Sequence, residues 1–274
     1  MNHLNEKEEV FNFDYFNYKK INSHQYLHSY NENLFIRIPN LFTQSNISQK
    51  FNVHRVLLPI YAYIYCNRTM VNTSYITINN IMDLCKYKIP KNRTKKIIFY
   101  EIVKCILFLK ESRFIDTDFD YQSITYNTPI EIKIIENNFS PLSNYTKLYI
   151  KDFFSIMNSD TKISKENLLT VYLYVLSQIG GNYPAFFQSI YKITKSTGLS
   201  NKTVTASLDF LSDGLENENP FLIKKKLNLQ HSANEALTTY PNIYLVNEDG
   251  YYEKFKQVCN MVVLTDKKIK IDSS

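Results

Sequence analysis

The segment IYKITKSTGLSNKTVTASLDFL, residues 190–211, decides the fold that this sequence predicts. Its two ends, Ile190 to Thr197 and Asn201 to Leu211, are both helical in pattern, and Gly198-Leu199-Ser200 separates them. Glycine supplies a left-handed turn after the first helix, and serine or asparagine then caps the next one. The segment is therefore typical of a helix-turn-helix, whose second helix has the apolar stripe Val204, Leu208 and Leu211.

The same order of short motifs occurs earlier in the chain, at offsets of 109 to 112 residues. Four pairs of segments match: Asn92-Arg93-Thr94 with Asn201-Lys202-Thr203, Ile78-x-x-Ile81 with Ile190-x-x-Ile193, Leu57-Leu58 with Leu168-Leu169, and Phe35-Ile36-Arg37-Ile38 with Tyr145-Thr146-Lys147-Leu148. Short matches arise easily in a chain rich in Ile, Asn, Lys and Tyr, but four in the same order indicate two copies of one unit.

Each copy has the same predicted elements. The first has an extended piece at 35–38, helices at about 54–66, 79–85 and 93–110, a strand at 75–78, and a hairpin of 114–118 with 130–135. The second has a helix from Ser164 to about Ile179, a short strand at Phe186 and Phe187, the helix-turn-helix, and a hairpin of 221–229 with 242–246. Helix, strand, helix, turn, helix and hairpin is the order of a winged helix. The predicted fold is α+β, mainly helical, with two tandem winged helix-turn-helix domains.

The length of 274 residues suits two domains that each bury a core. We predict an N-terminal arm at 1–34, a first winged-helix domain at 35–140, a second at 145–250, and a C-terminal helix and tail at 251–274. The linker is expected between Asn137 and Ser143, because Asn, Ser and Pro gather there and the hydrophobic periodicity stops.

Positive charge is concentrated before and along the third helix of the first copy. Six cations lie between Lys86 and Lys96, and Arg93, Lys96, Tyr100 and Lys104 share the helix face opposite the apolar stripe. A basic helix that begins after a turn favours phosphate contact, although a solvated Lys-rich turn would look the same. The predicted DNA-binding residues in this copy are Lys86, Lys88, Lys91, Arg93, Lys95, Lys96, Tyr100 and Lys104.

The second copy is less clearly basic, because its third helix exposes Lys202, Ala206 and Asp209, and an acidic side chain opposes phosphate. Lysines of the first hairpin strand alternate in direction, so only some can face one partner. DNA contact and dimerisation through this copy both remain open. Its predicted DNA-binding residues are Lys192, Lys195, Asn201, Lys202, Thr203, Lys224 and Lys226.

The tyrosines of the first helices have two interpretations. They could stack on single-stranded bases, but such residues are more often half-buried core, which we favour. They are Tyr61, Tyr63, Tyr65, Tyr172 and Tyr174.

The sequence offers little for catalysis. It has no Walker A loop, no nucleophile elbow and no His-x-His, and its four cysteines form no C-x-x-C pair. His24 and His28 could share a helix face as metal ligands, but no third ligand is evident. We therefore predict no enzyme, no metal and no cofactor. The polar N-terminus and the lack of long apolar runs predict a soluble cytoplasmic protein that does not bind membranes.

With both copies in view, the chain resembles the tandem winged-helix replication initiators of plasmids and phages of low-GC Gram-positive bacteria. The resemblance covers roughly residues 35–246 and depends on the repeated motifs and the hairpin after each. It implies that one winged helix reads repeats of a replication origin, while the other contacts further repeats or mediates dimerisation. It also implies host replication proteins as partners, besides double-stranded DNA and a second copy of the chain.

A replication initiator is one of three functional classes that the sequence leaves open. The others are a transcriptional regulator and a DNA-binding accessory protein of partition or conjugation. Two modules in one chain suit a reader of direct or inverted repeats, whereas a typical repressor has one module per subunit and dimerises to gain the second. This comparison favours the initiator.

Overall fold

The protein has an α+β fold made of helices and small antiparallel sheets. The computed structural model describes residues 34–44, 56–69, 71–85, 94–135, 145–179, 184–213, 220–225, 229–230, 242–265 and 270–271. The predicted α+β class is therefore confirmed. The expected N-terminal arm and the linker between Asn137 and Ser143 lie outside the described residues.

The secondary-structure elements follow the predicted order closely. The α-helices are α1 (Leu57–Cys66), α2 (Ile78–Leu84), α3 (Thr94–Glu111), α4 (Ile150–Asn158), α5 (Lys165–Gln178), α6 (Ile190–Thr197), α7 (Asn201–Asp213) and α8 (Tyr251–Thr265). The strands are β1 (Phe35–Pro39), β2 (Thr73–Ile76), β3 (Ile115–Asp116), β4 (Ile130–Ile134), β5 (Tyr145–Tyr149), β6 (Leu222–Lys225), β7 (Leu229–Gln230), β8 (Ile243–Val246) and β9 (Lys270–Ile271). A 3-10 turn, Asn40–Thr43, follows β1.

The first half contains helices α1, α2 and α3 and a three-stranded antiparallel sheet with the order β2-β4-β3. Alternate residues of β4 are buried, so one face of this sheet packs on the helices and the other faces solvent. α2 begins one residue earlier than the sequence predicts. Its cap is Thr77, whose side chain accepts a hydrogen bond from the backbone N–H of Asn80.

The second half has the same connectivity. Phe186 exchanges two backbone hydrogen bonds of 2.8 Å with Tyr244 of β8, and β8 pairs in turn with β6. The order Phe186-β8-β6 therefore corresponds to β2-β4-β3, and Phe186 lies 110 residues after Ile76, the last residue of β2. The predicted hairpins of both halves are confirmed as antiparallel pairs.

The two halves meet at a ribbon formed by β1 and β5. These strands pair antiparallel, with Arg37 opposite Lys147 at the centre of the register. The two residues are equivalent at an offset of 110, so the repeated motifs pair with each other about a local two-fold axis. Contacts across the ribbon obey the same symmetry: Arg37 lies 5.3 Å from the ring centre of Tyr145, and Lys147 lies 4.7 Å from that of Phe35. Each contact pairs a cation with an aromatic ring.

A single apolar cluster runs through both halves. Its centre is α1 and α5, which pack against each other; residues 57–65 of α1 and 168–175 of α5 are all buried. The 3-10 turn bridges the halves, because Phe42 packs on Tyr61 of α1 at 5.3 Å between ring centres and the turn also packs against α5. The expectation that each half buries its own separate core is therefore wrong for the described residues.

Besides the 3-10 turn, α4 and β9 were not predicted from the sequence. α4 has Ile150, Phe153, Phe154 and Met157 at the i, i+3, i+4 and i+7 positions, a helical pattern that was readable in the sequence. β9 pairs antiparallel with β7, so the end of the chain, expected to be a charged tail, adds a strand beside the second hairpin. No periodicity in a segment as short as 270–271 could have indicated this pairing.

The shared cluster predicts that the two halves unfold together. Leu148 of β5 is fully buried and pairs with Ile36, so replacing Leu148 with Ala should lower the free energy of unfolding by about 2 to 5 kcal/mol. Urea unfolding combined with hydrogen exchange should show α1 and α5 losing protection in one transition. Leu41→Ala, at a half-exposed position, is the matched control with a small effect. Protection that persists in α1 after it has disappeared from α5 would contradict this coupling.

A polar pair between the half-buried Asp152 and the buried Tyr172 links α4 to α5. The hydroxyl of Tyr172 donates a 2.7 Å hydrogen bond to Oδ2 of Asp152. Burial raises the pKa of the Asp152 carboxyl above its ordinary value, and the hydrogen bond from Tyr172 only partly opposes that shift. Burial, together with the nearby carboxylate, likewise raises the pKa of the Tyr172 hydroxyl, which therefore remains a donor at neutral pH.

This pair predicts a pH dependence of stability. Because the pKa of Asp152 is higher in the folded protein, the native state holds this proton more tightly, and stability should decrease as pH rises from about 4 through the raised pKa. Asp152→Asn keeps an acceptor for Tyr172 but cannot ionise, so its free energy of unfolding should decrease less over that interval. Urea titrations of both proteins at several pH values measure the difference. Parallel pH profiles would show that the Asp152 carboxylate is not destabilised by burial.

Candidate nucleic-acid interface

The third helix of the first half, α3, has one buried and one exposed face. The predicted stripe of Ile98, Ile102, Cys105, Ile106 and Leu109 is buried. On the opposite face, Lys96, Tyr100 and Lys104 are exposed, as the helical period predicted. The exposed face of α3 is therefore basic over its first three turns, beside the half-buried Glu101, whereas the exposed Glu111 ends the helix.

The aromatic side chains of α3 hold one another in position. Phe99 lies edge-on to Tyr126, with 4.8 Å between ring centres, and edge-on to Tyr100 at 5.7 Å. The ammonium group of Lys96 lies 6.0 Å from the centre of the Tyr100 ring, at the outer limit of a cation–π contact. Tyr100 is thus supported from the core side and is half-exposed on the other.

The second half builds its helix pair as the sequence predicts. The side chain of Ser189 caps α6, Gly198 ends it in the left-handed conformation with φ of 65°, and the side chain of Ser200 accepts from the backbone N–H of Thr203 at the start of α7. The hydroxyl of Thr194 in α6 donates a 2.8 Å hydrogen bond to Oδ1 of Asn201 in α7. This bond links the two helices across the turn.

The predicted binding residues of this half lie on α6 and the first turn of α7. Lys192, Lys195, Asn201 and Lys202 are exposed, and Thr203 is half-buried. The Oδ1 atom of the exposed Asn201 accepts from Thr194, and the amide N–H groups of Asn201 are hydrogen-bond donors. The helix start therefore offers lysine cations and amide donors, which are groups that bind phosphate.

Lys224 has a different environment from the one expected. Its ammonium group lies 2.8 Å from Oδ1 of Asp209 on α7, forming an ion pair between β6 and α7. Asp209 is the acidic residue that argued against DNA binding by the second half. Its ion pair with Lys224 offsets the negative charge of its carboxylate. Lys224, which was predicted to contact DNA, therefore forms an ion pair with Asp209.

Several predicted residues lie outside the described residues: Lys86, Lys88, Lys91, Arg93 and Lys226. Of Lys95 only the backbone is described, and it lies in the first turn of α3. His24 and His28 also lie outside this part of the chain. Within the described residues, no three His, Cys, Asp or Glu side chains form a possible metal site.

Two exposed apolar residues at these helices were not among the predicted binding residues. Ile97 of α3 is 55% exposed and Tyr191 of α6 is 70% exposed. Ile97 does not share the helical spacing of the buried apolar stripe of α3. This spacing could have indicated from the sequence that Ile97 is exposed. By contrast, the interpretation of the first-helix tyrosines as core is confirmed, because Tyr61, Tyr63, Tyr65, Tyr172 and Tyr174 are all buried.

Comparisons with known proteins give no relative. No protein-family model, curated protein or solved structure matches the chain. Within the part of the chain that the structure describes, none of the helices has the length and apolar character needed to cross a membrane. Any functional assignment therefore depends on the geometry of these two helix pairs.

The turn between α6 and α7 gives a local test of this geometry. Gly198→Ala should lower the free energy of unfolding by about 1 to 2 kcal/mol, because a side chain disfavours the left-handed conformation. Gly198→Asn should be milder, since asparagine tolerates positive φ. Chemical denaturation of the three proteins measures this order. Equal stability of all three would contradict a requirement for glycine at this turn.

Proposed function

We propose that each half of the chain is a winged helix and that the protein binds double-stranded DNA through α3 and α7. The observation that carries the proposal is the repeated architecture: three helices and a sheet of order β2-β4-β3 in one half and Phe186-β8-β6 in the other. In a winged helix the third helix enters the major groove and the hairpin flanks it. Here Lys96 is exposed in the first turn of α3, and Asn201 and Lys202 are exposed at the start of α7.

Charge supports DNA as the partner. The chain carries a net charge of +6, and Lys96, Lys104, Lys192, Lys195 and Lys202 are exposed on the helix pairs. The lysines and the amide donors of the exposed Asn201 suit phosphate oxygens, which position a protein on the duplex. The ion pair with Lys224 offsets the negative charge of Asp209 on α7.

The arrangement of the halves supports a bipartite target. The β1–β5 ribbon relates equivalent residues by a local two-fold axis, so two similar helix pairs fused in this way would read half-sites in inverted orientation. A single chain would then contribute both reading helices. Such a chain needs no second subunit to bind two half-sites. This property fits the replication initiators that the sequence resembles, and it fits less well a regulator that has one module per subunit.

The proposal predicts strongly salt-dependent binding. A randomised pool of short duplexes should yield sequences that the full chain prefers. The logarithm of the binding constant for such a duplex should fall linearly with the logarithm of salt concentration, by about 0.9 per neutralised phosphate. Fluorescence anisotropy at several salt concentrations measures the slope. Failure to bind any duplex, or binding that is indifferent to salt, would refute the proposed function.

The exposed lysines of α3 allow a test at single residues. Lys96→Ala with Lys104→Ala should weaken DNA binding and make the salt slope shallower by up to about 1.8, since two phosphates are no longer neutralised. The free energy of unfolding should change by less than about 0.5 kcal/mol per substitution, because both residues are exposed.

A matched control removes two positive charges elsewhere. Lys162 precedes α5 and Lys256 lies on α8, and both are exposed. Lys162→Ala with Lys256→Ala should leave the salt slope close to that of the natural chain. An equal decrease of affinity in the two double variants would mean that net charge, and not the face of α3, governs binding.

A further inference from the structure

The exposed face of α3 contains an apolar side chain that its fold does not explain. Ile97 is 55% exposed, whereas its neighbours Ile98, Ile102 and Ile106 are buried. Among α-helical residues whose exposure the structure describes, Ile97 is the only large aliphatic one that is exposed. Exposure of one isoleucine is ordinary by itself. Its position in the first turn of a basic helix, one turn before the half-exposed Tyr100, gives it a possible role.

The surroundings of Ile97 are charged and aromatic. Lys96 is adjacent in the chain, Tyr100 is at i+3 on the same face, and Lys104 continues that face one turn later. Tyr100 is supported by Phe99, whose ring centre lies 5.7 Å away. The surface is therefore a small apolar patch, Ile97 with Tyr100, between two exposed lysines. We call it the Ile97 patch.

The chemistry of the patch fits one base in the major groove. The C5-methyl of thymine is the apolar group that a base pair presents there, and apolar side chains contact it. Lysines on either side suit the phosphates that border the groove. A protein partner is less well matched, because the core of a protein interface is depleted in lysine.

The corresponding surface of α7 lacks these side chains. Aligning Asn92-Arg93-Thr94 with Asn201-Lys202-Thr203 places Ala206 at the position of Ile97 and Asp209 at that of Tyr100. Ala206 is half-buried and Asp209 is paired with Lys224. The two reading helices therefore differ where a base contact would be made, and the two half-sites cannot be read in the same way.

We infer that Ile97, supported by Tyr100, reads the methyl groups of thymine in the half-site bound by α3. This inference depends on the proposed function and specifies its target as a duplex with thymine in one half-site. Ile97 then determines specificity, whereas Lys96 and Lys104 supply attraction that is independent of sequence.

Uracil substitution tests the inference directly, because uracil pairs like thymine but lacks the C5-methyl. The probe is a short duplex recovered from a randomised pool with the full chain, made in one form with thymine and in another with uracil. The natural chain should bind the uracil form about fourfold more weakly for each methyl group that is removed from the surface of Ile97. Ile97→Ala should bind the thymine form more weakly than the natural chain and should discriminate little between the two forms.

Val71→Ala is the matched control, because Val71 is an aliphatic residue that is 73% exposed and lies outside α3. It should retain the full preference for thymine. Thermal unfolding verifies that both variants remain folded, which is expected at exposed positions.

The possible failures are distinguishable. If no duplex is bound, the proposed function itself is wrong. If the natural chain binds both forms equally, or if Ile97→Ala keeps the same preference for thymine, DNA binding stands but the methyl contact is refuted. A change in self-association of Ile97→Ala by sedimentation, with unchanged DNA affinity, would identify the patch as a protein contact and would also overturn the inference.

Discussion

The burial of α1 against α5 is the constraint on which the rest of the structure depends. Residues 57–65 and 168–175 are buried all round, so neither helix could remain in water alone. Each is covered by the other, by the β1–β5 ribbon and by the remaining helices of its own half. Once these two helices are paired, the positions of α3 and α7 at the periphery follow, because each packs on the first helix of its own half.

The ribbon extends this constraint to the symmetry of the molecule. The antiparallel register is centred on Arg37 and Lys147, which are equivalent residues of the two similar segments, so the ribbon itself has a local two-fold axis. Two like charges directly opposite would destabilise a strand pair. Each cation instead lies near an aromatic ring of the other strand, Tyr145 or Phe35, so the repulsion is offset by two cation–π contacts. The two similar segments, Phe35–Pro39 and Tyr145–Tyr149, thereby join the two halves of the chain.

The two halves differ at their exposed helices more than in their buried residues. Both third helices keep a buried apolar stripe, but α3 exposes Ile97, Tyr100 and lysines where α7 has Ala206 and the Asp209–Lys224 pair. A shared core restricts change, since altered volume there costs several kcal/mol. Exposed positions tolerate substitution with little effect on stability, and the two faces are therefore free to acquire different partners or different half-sites.

The sequence by itself determined the local structure of this protein. Helical periodicity placed the apolar stripes of α3 and α7, and the chemistry of glycine and serine fixed the turn at Gly198 and the cap at Ser200, because these effects act within a few residues. Charge and periodicity also placed Lys96, Tyr100 and Lys104 on an exposed face. The boundaries of α2 and the existence of α4 were within reach of the same reasoning, through Thr77 and the spacing of Ile150, Phe153 and Met157.

Only the tertiary structure decided how the two copies combine. Strand pairing between β1 and β5 joins residues 110 positions apart, and an alternating pattern such as Phe35-Ile36-Arg37-Ile38 does not specify its partner strand. The same limit applies to β7 with β9 and to the pairing of Lys224 with Asp209. The expectation of two separate cores failed for this reason: periodicity shows which residues are buried, whereas the surface that covers them is chosen by packing across the whole chain.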